Sequence, residues 1–178
     1  MFPPITSFVQ RVGVVAVAWA VLVAGSSAVS HADDPVHPGT VTVTGDVHQA
    51  TALTMDALAA MPPQTQSVTF ETSAGPQSHT YVGAALADIV NGADLDVDRA
   101  AKHPLLSVTI LAIGADGYSA AVSWGEISPE LAATPALVAY TEDGVPLTQP
   151  RLVMPGDREG SRYVDQLVEL RIVDLARR

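Results

Sequence analysis

Short β-forming runs broken by glycine and proline turns set the limits on this chain, and they are most regular near its C-terminal end. From Thr141 to Asp174 it reads TEDGVPLTQPRLVMPGDREGSRYVDQLVELRIVD. RLVM and LVELRIVD carry the side chains that suit a pleated surface, and the PGDREGSRY segment between them punctuates rather than continues either one. The same rhythm runs upstream. Val alternates with Thr over 40–47, and further strands are expected at 66–72, 78–82, 105–113, 118–123, 136–140, 151–154 and 167–174. The nearly continuous apolar run at 105–113 predicts a strand buried on both faces. Helical pieces are few and short. MDALAAM follows Thr54 and stops at Pro62-Pro63, and GAALADIVN (83–91) puts Leu86, Ile89 and Val90 on one face before the Asn91-Gly92 stop. A short helix or two turns is expected within 124–134, and a helical turn or loop over 93–103. Hairpins mixed with short helices predict one α+β domain around a mixed sheet with short flanking helices.

The first residues are expected to stand outside that domain. Arg11 precedes an uncharged, mostly apolar run, 12–25, and small residues then lead to Ser30-His31-Ala32. A positive start, an apolar centre and a small-x-small exit describe a secretory signal peptide, residues 1–32, cleaved after Ala32. The apolar run would span only ~21 Å as a helix, short of a bilayer core of roughly 30 Å. A lone arginine rather than a pair points to export in the unfolded state. Residues 33–39 read as a flexible polar lead, and residues 40–178 as the domain. The expected location is outside the cell or in its envelope, with no membrane span left after cleavage.

Charge and cysteine content exclude whole classes of function. Nine Lys and Arg stand against 19 Asp and Glu, a formal net charge of −10, which argues against nucleic acid or an anionic membrane as partner. The chain has no cysteine, so disulfides, thiolate metal ligands and thiol nucleophiles are out. The histidines that follow the leader, His37, His48, His79 and His103, make neither an i, i+4 pair nor H-x-H spacing, so no metal site is predicted. His79, just after the AGPQS turn, is the best general-base candidate. Against the acidic background, Arg151, Arg158 and Arg162 fall within twelve positions. Guanidinium forks and glycine-freed backbone N–H groups suit a phosphate or a carboxylate, whereas Asp157, Glu159 and Asp165 beside them could equally neutralise them.

Six phrases in order carry a family resemblance. They are Gly45, LTMDALAAMP, YVGAALADIV, DGYSAAVSW, ALVAYTEDGVPL and PRLVMPGDREGSRYV. Together, from about Val41 to Val173, they resemble the oxidoreductase molybdopterin-binding domain of the sulfite oxidase family. The resemblance implies that family's α+β fold, a cleft for a pterin dithiolene, and redox chemistry at molybdenum. The candidate ligand-binding residues are Arg151, Arg158 and Arg162, with Asp116 and Tyr118 expected to face their loop across the sheet, and Thr72.

Two departures change what the resemblance implies about activity. The family's metal-binding cysteine lies ahead of the phrase YVGAALADIV, where this chain reads VTFETSAG and offers only Glu71, Thr72 and Ser73. A lysine-tryptophan pair common in the family is here Asp165-Gln166. The expected function is therefore a secreted, sulfite-oxidase-like protein without molybdenum redox chemistry, binding a small anionic or pterin-like ligand in the family's cleft. Molybdopterin is the one cofactor the resemblance implies, and the sequence itself calls for none. Two alternatives stay open: an oxidoreductase that holds its cofactor without thiolate ligation, and a cell-surface scaffold or interaction module.

Overall fold

A computed structural model of the chain describes residues 38–177. The expected signal peptide and most of the polar lead lie outside the described residues. Among the described residues no helix is long and apolar enough to cross a membrane.

Among the described residues nine strands divide into two sheets. The first has the order β2-β1-β9-β5-β6 and is built from β1 (Thr40–Gly45), β2 (Thr51–Thr54), β5 (Val108–Gly114), β6 (Ser119–Ser123) and β9 (Leu167–Asp174). It is mixed, because β9 runs parallel to β1 (Val43 opposite Leu170) and antiparallel to β5 (Ile110 opposite Ile172). The second has the order β3-β4-β7-β8, is wholly antiparallel, and comprises β3 (Pro63–Thr72), β4 (Gly75–Ala85), β7 (Leu137–Glu142) and β8 (Val145–Val153). The α+β class with short helices is what the element order predicted. The division into two sheets is an addition to it.

The final strand sits at the centre of the first sheet, and Leu167, Leu170 and Ile172 are fully buried there. Most of the core lies with this sheet. Val41, Val43, Val108, Ile110, Val122, Leu170 and Ile172 pack with α2 (Leu86–Gly92), α3 (Trp124–Ile127) and the apolar ends of β4, β7 and β8. α2 buries Leu86, Ala87, Ile89 and Val90, the face its spacing predicted. Trp124 is a core aromatic. A smaller second cluster, Val68, Phe70, Tyr81, Leu137, Ala139 and Val153, lies with the second sheet, and Tyr163 packs against it. This cluster supports the candidate site.

Four local expectations are corrected. β2 was absent from the sequence reading; its TALT has no apolar alternation, and it forms because β1 offers it an antiparallel partner. β4 stays extended through Gly83–Ala85, where a helix was expected, because Ala84 and Ala85 pair with Val138 and Leu137. A Cβ on Gly83 would lie 2.5 Å from the Val138 carbonyl, so the close strand approach itself requires glycine there. The 105–113 strand begins only at Val108, after a 3-10 turn at Pro104–Ser107; the leading proline starts the turn. The strand expected at 151–154 begins at Val145, because β8 pairs with β7 from Val145 opposite Glu142 onward.

Candidate functional site

Period-two alternation along β4 turns Gln77, His79 and Tyr81 to one face. The β4–β7 register sets Tyr81 opposite Glu142. Asp143 (φ 51) and Gly144 (φ 78) then form the two central residues of the β7–β8 turn, and an Asp-Gly pair with both φ positive is the turn that matches strand twist. The result is a continuous polar chain along the sheet. His79 Nδ1 lies 2.8 Å from Asp143 Oδ2 and 3.2 Å from Glu142 Oε1. The Tyr81 hydroxyl donates to Glu142 Oε1 at 3.0 Å and accepts from Arg151 at 3.1 Å. Arg151 continues the chain, meeting Glu142 at 2.9 Å and Asp165 at 3.1 Å.

Burial works against the Arg151 charge, yet hydrogen bonds to Asp165 and Tyr81 more than offset it and hold the guanidinium firmly protonated. Burial pushes the Tyr81 hydroxyl up to about 12, with Arg151 pulling it part of the way back. Tyr163 is likewise raised to about 12 by burial and by the Asp157 charge. Its ring stacks 4.6 Å from Phe70, and its buried hydroxyl has no partner among the described residues.

The glycine loop after β8 carries a second ion-pair group. Arg162, in the 3-10 turn Gly160–Arg162, grips Asp157 with two bonds of 2.8 and 2.6 Å and reaches Glu126 at 2.6 Å. These contacts raise its basicity. Glu126 also accepts from the Ser123 N–H at 2.9 Å, closing the start of α3. Tyr118 crosses from the β5–β6 hairpin to the Ser161 carbonyl, so it does face the loop. Beside the loop, Phe70, Glu71, Thr72 and Ser73 at the end of β3 and Glu159, Gly160 and Ser161 line a cavity of about 350 Å³.

The predicted site residues thus fall into different roles. Arg151 and Arg162 are each held by two carboxylates. Among the described residues Arg158 makes no ion pair, and its carbonyl accepts the Glu71 N–H at 2.8 Å. Thr72 lines the cavity, but its hydroxyl bonds the Gly75 carbonyl at 2.8 Å and the Ala74 N–H at 3.1 Å. Asp116 supports its own turn through the Tyr118 N–H at 2.9 Å. His79 joins the polar chain 6.0 Å from the Phe70 ring. Sequence reasoning missed Tyr81, Glu142 and Asp143 as site residues. The usable signal was the Gln77-x-His79-x-Tyr81 alternation, which puts all three on one face.

A pterin dithiolene does not fit these residues. Where a thiolate would be needed stand a carboxylate, a hydroxyl already bonded to the turn, and Ser73. The Glu71 and Glu159 carboxylates flank the cavity, and two of the three arginines are neutralised. Gly160 lies so close to Phe70 that a Cβ would sit 2.8 Å from the ring.

Acid sensitivity follows from two of these carboxylates. The Thr80 N–H, then His79, hold Asp143 below the usual carboxylate range. Burial raises Glu126, but the Ser123 N–H and Arg162 outweigh it and leave it lowered. Folded values below unfolded ones mean that this stabilisation is complete above the ordinary carboxylate pKa and disappears as pH falls through the folded values. Urea midpoints are therefore expected to hold steady down to about pH 5 and to drop below about pH 4. Asp143→Asn and Glu126→Gln should each make the drop shallower. An unchanged acid slope in both variants would assign the loss to other groups.

No family model and no curated protein matches the chain. Among solved structures it is similar to the sulfane dehydrogenase SoxCD from Paracoccus pantotrophus, at 18% identity and a TM-score of 0.60. The match covers 76% of this chain and 38% of the other. This likeness supports a molybdopterin-enzyme-like fold.

Proposed function

We propose that the chain is an exported domain of sulfite-oxidase-like fold that binds a small anion and performs no redox chemistry at molybdenum. The observation that carries this reading is the donor set beside the glycine loop, which offers oxygen atoms and one unengaged guanidinium but no soft ligand. Arg151 and Arg162 serve the fold, so the anion is assigned to Arg158. Hydroxyls of Ser73 and Ser161 line the adjoining cavity. The Glu71 and Glu159 carboxylates work against a multiply charged ligand and favour a small one.

Titration with inorganic phosphate and with a free pterin tests this directly. Arg158→Ala is expected to weaken binding at least about tenfold, the loss of one charge-assisted contact. Arg151→Ala and Arg162→Ala should weaken it less, in proportion to lost stability. Absence of saturable binding, or wild-type affinity in Arg158→Ala, would sink the anion site. Stoichiometric molybdenum in protein purified from its own host would overturn the non-redox reading.

A second reading, an interaction module, is favoured by one other feature. Leu106 (54% exposed) and Leu131 (59% exposed) flank an apolar groove of about 330 Å³ over Trp124.

A further inference from the structure

We propose that His79, Glu142 and Asp143 form a binding site for one divalent cation of the zinc class. The three side chains come from β4 and the β7–β8 turn, more than sixty positions apart in sequence, and no motif spacing announces them. His79 Nδ1 and one carboxylate oxygen from each acid lie within 4.8 Å of one another. The two nitrogen–oxygen separations are 2.8 and 3.2 Å. Donors held about 2.0–2.1 Å from a zinc ion, at octahedral to tetrahedral angles, lie roughly 2.9–3.4 Å apart. Both nitrogen–oxygen pairs therefore stand close to the spacing that a cation between them requires.

Charge balance supplies a second, independent reason. Linked to the ring are three carboxylates, Glu142 and Asp143 beside it and Asp165 on the far side of Arg151, and one guanidinium, Arg151, which is shared between Glu142 and Asp165. With a neutral imidazole the linked group carries two uncompensated negative charges. A single ring N–H can bond only one of the two oxygens that converge on Nδ1, the other of which, Glu142 Oε1, also accepts the Tyr81 O–H, whereas a divalent ion would bond both and offset the charge.

The surroundings fix each donor from behind. Asp143 Oδ1 accepts the Thr80 N–H at 2.8 Å, which leaves Oδ2 turned to the ring. Glu142 is held by Tyr81 and Arg151. The far ring nitrogen, Nε2, faces Gln77 Oε1 at 3.4 Å, the kind of outer acceptor that leaves the ligating nitrogen unprotonated. One nitrogen and two oxygens suit zinc or a similar first-row ion; calcium would want six or more oxygens. The Asp143 side chain is 52% exposed, so an ion can enter and water can complete its shell. Bound there, it would tie the β7–β8 turn to β4.

Titrating the chelator-stripped protein with zinc chloride, by calorimetry and by thermal unfolding, tests the site. The expected result is one zinc per chain and a Tm that rises with zinc concentration. His79→Gln and Asp143→Asn should each weaken binding by at least about tenfold and abolish the Tm rise. Asp143→Asn keeps a carbonyl for the Thr80 N–H, so it stands as the second test should His79→Gln fold poorly. Arg158→Ala should bind zinc normally, which separates this site from the anion site, and His103→Gln controls for stray histidine binding. Absence of saturable one-to-one binding would overturn the proposal, as would affinity within about twofold of wild type in both ligand variants.

Discussion

Gly45→Ala is expected to lower the unfolding free energy by about 3–4 kcal/mol, from backbone strain together with overpacking. Gly45 ends β1 with φ at +87°, opposite Ile172 of β9. An added Cβ would fall 2.1 Å from the Ile172 carbonyl oxygen and 3.0 Å from two further backbone atoms of that residue. The same oxygen accepts the Asp46 N–H at 3.0 Å. No side-chain rotation relieves a clash with backbone, so either β1 or the central strand must move. Among the described strands β1–β9 is also the one parallel pair, joining the two ends of the domain. Urea denaturation of Gly45→Ala beside Gly125→Ala makes the comparison. A Cβ on Gly125 meets nothing closer than 3.9 Å, and that variant should stay near wild type. A Gly45→Ala cost below about 1 kcal/mol would show that the strand junction adjusts freely.

Arg151→Ala is expected to cost about 2–3 kcal/mol, below the range for a fully buried pair because the side chain keeps some solvent contact. Its side chain is 22% exposed, and its guanidinium bridges Glu142, Asp165 and the Tyr81 hydroxyl. Removing it leaves Glu142 facing Asp143 with no guanidinium to balance them. Arg151→Lys keeps the charge but gives up the fork that spans three partners, and it should recover less than half of the loss. Arg162→Ala breaks a comparable set of bonds at greater exposure, with its side chain 35% exposed and Glu126 43% exposed. Its cost is expected to stay near or below about 1 kcal/mol. Equal costs for the two arginines would mean that burial does not set their ranking.

The arginines also show where the sequence could lead and where it had to stop. Their clustering within twelve positions pointed to an anion site. In the folded chain, Arg151 finds Glu142 on the neighbouring strand, and Arg162 finds Glu126 on α3. Loop composition revealed Asp157 and Asp165 as candidate partners, but it held no information about Glu126 or Glu142. Arg158 was indistinguishable from the other two until their partners were known.

Local pattern determined a good deal. Strand-forming side chains marked β9 at the residues where it occurs, the spacing of Leu86, Ile89 and Val90 marked the buried face of α2, and Asp143-Gly144 marked a tight hairpin turn. Each depends on the backbone geometry of a few consecutive residues, which the side chains there control directly. Tertiary structure alone decided that β2 pairs at all, that Gly83–Ala85 remain extended, and that the strands divide between two sheets. It alone brought His79 to Glu142 and Asp143. Those outcomes depend on which strands lie side by side and in what register, a property of pairing between distant segments that no local window contains.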